Sequence, residues 1–171
     1  MTKKHLTLHR TQHPTTTLES LKPRLSLMGI TRIGNVTGLD TIGIPVVMVT
    51  RPNSRSVSVS QGKGVTLEEA MVSGLMESIE TWHAERISAE RIRTSPAAML
   101  AQIVDLKALP LRREQTVDYE TPLHWIDGID LLNRQECWVP LDMVHTNFTE
   151  QAVVDGVFLS SSNGLASGNH W

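Results

Sequence analysis

The chain has 171 residues, a formal net charge of −2 and a single cysteine. That length is one domain, or a piece of one, with room for a real core, and the near-balanced charge gives no reason to expect a nucleic-acid partner. Cys137 alone excludes an internal disulfide framework and fits a reducing, cytoplasmic setting, while the apolar runs are far too short to cross a membrane.

Residues 1–15 are polar and rich in His, Thr and basic side chains, which predicts a flexible arm with little structure of its own. Lys3 and Lys4 have no apolar stretch behind them, so the segment does not read as a signal peptide. A short helix is expected from Leu18 to Met28, with Pro23 able to split it and Gly29 in a C-cap role. Ile30 to Asn35 and Gly43 to Arg51 read as strands. Arg51-Pro52-Asn53-Ser54 is a turn, leading into a further strand over Ser56 to Ser60.

Ser60-Gln61-Gly62-Lys63-Gly64 follows, and the rest of the chain is organised around it and the next element. Two glycines around a lysine predict a tight loop whose backbone a ligand can approach. Thr66 with Glu69 three residues on is a capping box, so a long helix should start there and run to about Ala89. Met71, Leu75, Ile79 and Trp82 fall on one side of it and should bury. Ala70, Ser73, Glu77, Glu80 and Ala84 fall on another. Glu77 and Glu80 are like charges with no Lys or Arg three or four residues away, and small residues beside them leave room. A solvated face would explain such a pair. A hard cation, most often Mg²⁺ shared with nucleotide phosphates, would explain it as well. Glu68 and Glu69 need no ligand, because they lie in the first turn where the helix dipole favours acids.

Beyond the helix come Arg86, Arg91 and Arg93, then a short helical stretch from Ala97 to Val104 and a charged loop over 105–121. Trp125 to Leu132 and Glu136 to Pro140 read as two strands joined by Asn133-Arg134. Cys137 beside Trp138 suits a small buried side chain better than a nucleophile. Val157-Phe158-Leu159 predicts a last strand running into Ser162-Asn163-Gly164, an echo of Ser60-Gln61-Gly62. Neither glycine loop fits a known phosphate signature. Val57 stands where the P-loop needs its first glycine, and Leu67 stands where the dinucleotide pattern needs its last.

The ordered set Thr37-Gly38-Leu39-Asp40, Gly43-Ile44-Pro45-Val46, Arg51-Pro52-Asn53, Ser60-Gln61-Gly62-Lys63-Gly64, Ala70, Ser73, Glu77, Glu80 and Ser162 to Asn169 resembles the YcaO family. The resemblance covers nearly the whole chain and matches the N-terminal half of a YcaO domain, over 16–171. It implies an enzyme that uses ATP and Mg²⁺ to activate a peptide backbone amide by O-phosphorylation. A Cys, Ser or Thr side chain, or external sulfide, then adds to the activated carbon to give an azoline or a thioamide. Glu77 and Glu80 match the metal and phosphate ligands. Ser60, Lys63 and Asn169 match parts of the nucleotide pocket, and Arg10 and Thr17 a basic-plus-hydroxyl pair near ATP. The implied partners are a peptide or ribosomal-protein substrate, an accessory protein and a second copy of the chain. The family's second acidic helix has no counterpart here. The competing expectation is therefore a non-catalytic unit that serves in structure, interaction or nucleotide binding, with the Met71, Leu75 and Ile79 face left uncovered. The expected fold is α/β or α+β, a mixed or antiparallel sheet with one long helix packed on it.

Overall fold

The computed structural model describes residues 11–110, 116–147 and 149. Two compact units divide the chain, Met1–Ile79 and Glu80–Trp171. The expected α/β class holds, but among the described residues the strands form two separate three-stranded antiparallel sheets instead of one.

In the first unit, α1 spans Pro14–Leu21, and a 3-10 turn over Lys22–Arg24 follows it. The helix starts earlier than its sequence predicts, inside the stretch read as an arm, because Pro14 takes the first helical position where its missing N–H costs nothing. It ends before Pro23, and Gly29 reverses the chain with φ of 71°. The sheet is a meander of β1 (Arg32–Asn35), β2 (Val46–Thr50) and β3 (Val59–Lys63), in that order. Thr37 and Asp40 shape the β1–β2 connection. The Thr37 hydroxyl accepts from the Val46 N–H at 3.1 Å, and Asp40 accepts from the Ile42 and Gly43 N–H groups at 2.9 and 3.3 Å.

The helix α2 runs over Leu67–Ala84. Its start is the predicted capping box. Thr66 Oγ1 accepts from the Glu69 N–H at 3.2 Å, and Glu69 Oε2 accepts from the Thr66 N–H at 3.3 Å and the Val65 N–H at 2.8 Å. Within this unit α2 lies on the sheet face that carries Val47, Val49, Ser60 and Gly62, all buried. Leu75 and Ile79 bury as expected, so the anticipated uncovered face is not seen. Met71 and Trp82 are only partly covered, and Val72, Gly74 and Ser78 take their share of the contact.

The second unit has β4 (Ile92–Pro96), β5 (Pro122–Asp130) and β6 (Gln135–Pro140), again a meander. β4 has no alternating pattern to reveal it. It forms because Ile92–Pro96 finds a partner in Pro122–Ile126. The helical stretch expected at Ala97–Val104 is instead a 3-10 turn over Ala97–Met99, followed by a bend at Gln102, with φ of 57°, and a bridge from Ile103 to Trp138. Ala97, Leu106 and Trp125 form the buried centre of this unit, with Trp138, Leu123 and Tyr119 packed around it. The Trp125 indole N–H donates to the Ser95 carbonyl at 2.8 Å, which satisfies the one polar atom that so large a buried side chain brings inside. The strand predicted at 157–159 lies outside the described residues, as does the Ser162–Asn169 segment.

Candidate functional site

The glycine-lysine stretch is not the exposed loop that its composition predicts. Ser60, Gln61, Gly62 and Lys63 are strand residues of β3, paired with Val49, Met48, Val47 and Val46. Neither Gly62 nor Gly64 has positive φ. Glycine is required here by proximity. A Cβ on Gly62 would fall on the Ala70 carbonyl and the Gly74 amide, and one on Gly64 would meet the Ala70 nitrogen. Strand and helix backbones therefore touch, and the glycines set how closely α2 approaches β3.

The strand's two-residue period sorts the predicted nucleotide ligands. Ser60 and Gly62 are buried on the face under α2, while Gln61 and Lys63 are exposed on the other. β3 thus does not bring the Ser60 and Lys63 side chains together. Thr17 lies on α1, where its hydroxyl bonds the His13 carbonyl at 3.4 Å. Arg10 and Asn169 lie outside the described residues.

Glu77 and Glu80 sit one turn apart on α2, Glu77 part-buried and Glu80 exposed. Their stripe includes Ser73 and Ala84, and none of these four is among the helix's buried residues. Ala70, read as part of the same stripe, is the exception, fully buried at Gly62. Among the described residues, no group of three or more His, Cys, Asp or Glu side chains forms a ready-made metal cage.

What the sequence did not single out is the far end of α2. The last four helix carbonyls, those of Thr81, Trp82, His83 and Ala84, have no partners inside the helix by construction. Here all four are bonded. The Glu85 N–H donates to Thr81 at 3.0 Å, the Arg86 N–H to His83 at 3.0 Å and the Thr146 N–H to Ala84 at 3.2 Å. Arg86 Nη1 donates to the fourth, on Trp82, at 3.3 Å. The same guanidinium pairs with the fully buried Glu85 carboxylate at 3.0 Å and lies over the Trp82 ring, 4.9 Å from its centroid. The signal was present as the dipeptide Glu85-Arg86 after Trp82, but its meaning depends on burial.

The chain matches the model of the YcaO family, described as YcaO cyclodehydratase, ATP- and Mg²⁺-binding, over residues 61–171. It belongs to the YcaO family. A protein from the tfuA 3′ region of Rhizobium leguminosarum bv. trifolii is 36% identical over 91% of this chain, and a Mycobacterium tuberculosis protein is 37% identical over 94%. The chain spans about 37% of the length of these two relatives. Among solved structures, a YcaO from Methanopyrus kandleri bound with AMPPCP and Mg²⁺ superposes with a TM-score of 0.57 at 26% identity. That match covers 80% of this chain and 34% of the other. A heterocyclase in complex with substrate and cofactor shares the fold, with a TM-score of 0.60 at 15% identity, covering 80% of this chain and 23% of its own.

Proposed function

We propose that this YcaO chain carries one side of an ATP- and Mg²⁺-dependent site that activates a peptide backbone amide by O-phosphorylation, for azoline or thioamide formation. The observation that carries this reading is the stripe on α2. Glu77 and Glu80 lie one turn apart on α2, Glu77 part-buried and Glu80 exposed, on a stripe with Ser73 and Ala84 that holds none of the helix's buried residues. Their chemistry fits the ion. Mg²⁺ takes hard oxygen donors, uses one or two carboxylates and completes its shell with water and substrate phosphates. Two glutamates, with no cluster of three or more His, Cys, Asp or Glu side chains among the described residues, match that habit. When bound, Mg²⁺ and ATP supply charge neutralisation and the transferable phosphoryl group.

The chain's own residues hold and orient. Glu77 and Glu80 anchor the cation. Lys63 is exposed on the β3 face away from α2 and Ser60 is buried under α2, so neither side chain shares the helix stripe of Glu77 and Glu80. The relatives support the nucleotide: a YcaO at 26% identity holds AMPPCP and Mg²⁺.

Calorimetric titration of this chain with AMPPCP, with and without Mg²⁺, tests the reading. Wild type should bind in a Mg²⁺-dependent manner, and the double change Glu77→Gln with Glu80→Gln should remove that dependence. Unchanged Mg²⁺-dependent binding by the double variant would show that the acids do not hold the ion.

A further inference from the structure

Glu85 is 2% exposed, and its side chain is wholly covered, at the end of the helix that bears Glu80. Burying a carboxylate is costly, and an apolar side chain of similar volume would pack as well or better. What the acid adds is a fixed direction for Arg86, whose single guanidinium meets the Glu85 carboxylate, the Trp82 carbonyl and the Trp82 ring at once. Arg86 also donates its own N–H to His83, so one residue closes two of the four open carbonyls. Helix ends ordinarily fray. This one cannot fray without breaking an ion pair whose acid is buried, a ring contact and a carbonyl bond together.

Glu80 is exposed and lies one turn before Ala84, so its direction follows the backbone of α2, whose end Arg86 closes at Trp82 and His83. We infer that Glu85, Arg86 and Trp82 form a lock on the last turn of α2 that positions Glu80 for the divalent cation. Arg86 and Glu85 are positioning residues in this scheme and touch neither metal nor nucleotide. The inference rests on the reading of Glu77 and Glu80 as cation ligands.

The test measures the Mg²⁺ concentration that half-saturates AMPPCP binding in the wild-type chain, Arg86→Ala and Arg86→Lys. Groups hydrogen-bonded directly to metal ligands shift metal affinity by roughly ten- to a hundredfold, and Arg86, one step further out, should reach the lower end of that range. Arg86→Ala should raise the half-saturating Mg²⁺ by about tenfold or more while the binding stoichiometry and the metal-free AMPPCP affinity stay at wild-type values. Arg86→Lys keeps a cation but cannot reach carboxylate, carbonyl and ring together, so it should fall between the two. A merely structural role would lower the bound stoichiometry and spare the Mg²⁺ dependence, and that result would overturn the lock. So would an Arg86→Ala chain that is folded, by circular dichroism, and has the wild-type Mg²⁺ requirement. Absence of Mg²⁺-dependent binding in the wild type would instead overturn the ligand reading and the lock with it.

Discussion

Gly62 is the residue on which the first unit's geometry turns. Its missing side chain lets the β3 backbone rest on the α2 backbone at Ala70 and Gly74. Those obstacles are main-chain atoms, which cannot swing aside as a flexible side chain would. Gly62→Ala should therefore cost about 3 kcal/mol, at the upper end of overpacking penalties. Gly38→Ala is the matched control, since a Cβ placed there would have nothing within 4 Å and the φ of Gly38 is not positive. It should stay within about 0.5 kcal/mol of wild type. Urea denaturation compares the two, and equal midpoints would refute the backbone-contact account. Glycine was visible in the sequence, but its reason was not. A glycine needed for left-handed φ and one needed for closeness look the same in a string of letters.

Elements differ in how much of themselves they carry locally. The start of α2 depends on Thr66 and Glu69, three residues apart, and the bonds between them form as read. Strand β4 depends on residues about thirty positions away, and its own sequence announces nothing. Where β4 begins, Arg91 holds Asp127 of β5 through Nε at 2.8 Å and through Nη2 at 3.0 Å. This hydrogen-bonded pair keeps the Asp127 carboxyl below its ordinary value, chiefly through the Arg91 hydrogen bonds. The sign follows from linkage. A carboxylate with a lowered folded pKa contributes fully above the unfolded value, near 4, and loses that contribution as pH falls through the folded one. Both side chains are more than half exposed, so solvent screening limits the contribution to about 0.2–1 kcal/mol. Asp127→Asn should lower stability at pH 7 by that amount and make no difference at about pH 2. Parallel denaturation series at the two pH values would reveal it, and a gap that persists in acid would contradict the ion-pair origin.

At the level of the whole molecule, each unit has its own core, one around Val47, Val49 and Leu75 and the other around Ala97, Leu106 and Trp125. A ligand that binds only the folded chain must raise its stability, by about 2.7 kcal/mol at a concentration one hundred times Kd. AMPPCP with Mg²⁺ should therefore raise the melting temperature of the wild type, and AMPPCP without Mg²⁺ should raise it less. The Glu77→Gln, Glu80→Gln chain should show no Mg²⁺-dependent rise in a thermal-shift series, and a full rise would place the cation elsewhere. By itself the sequence determined what short-range bonds can decide: the capping box, the existence of β2, the hairpin of β5 and β6, and the YcaO signature. Only the tertiary structure decided that Ser60 and Lys63 face opposite ways, that Gly62 serves contact and not a loop, and that Glu85 is buried under Arg86. The reason is physical. Local hydrogen bonds and periodicity act over a few residues and can be read along the chain, whereas burial and backbone proximity are set by partners that the order of residues does not name.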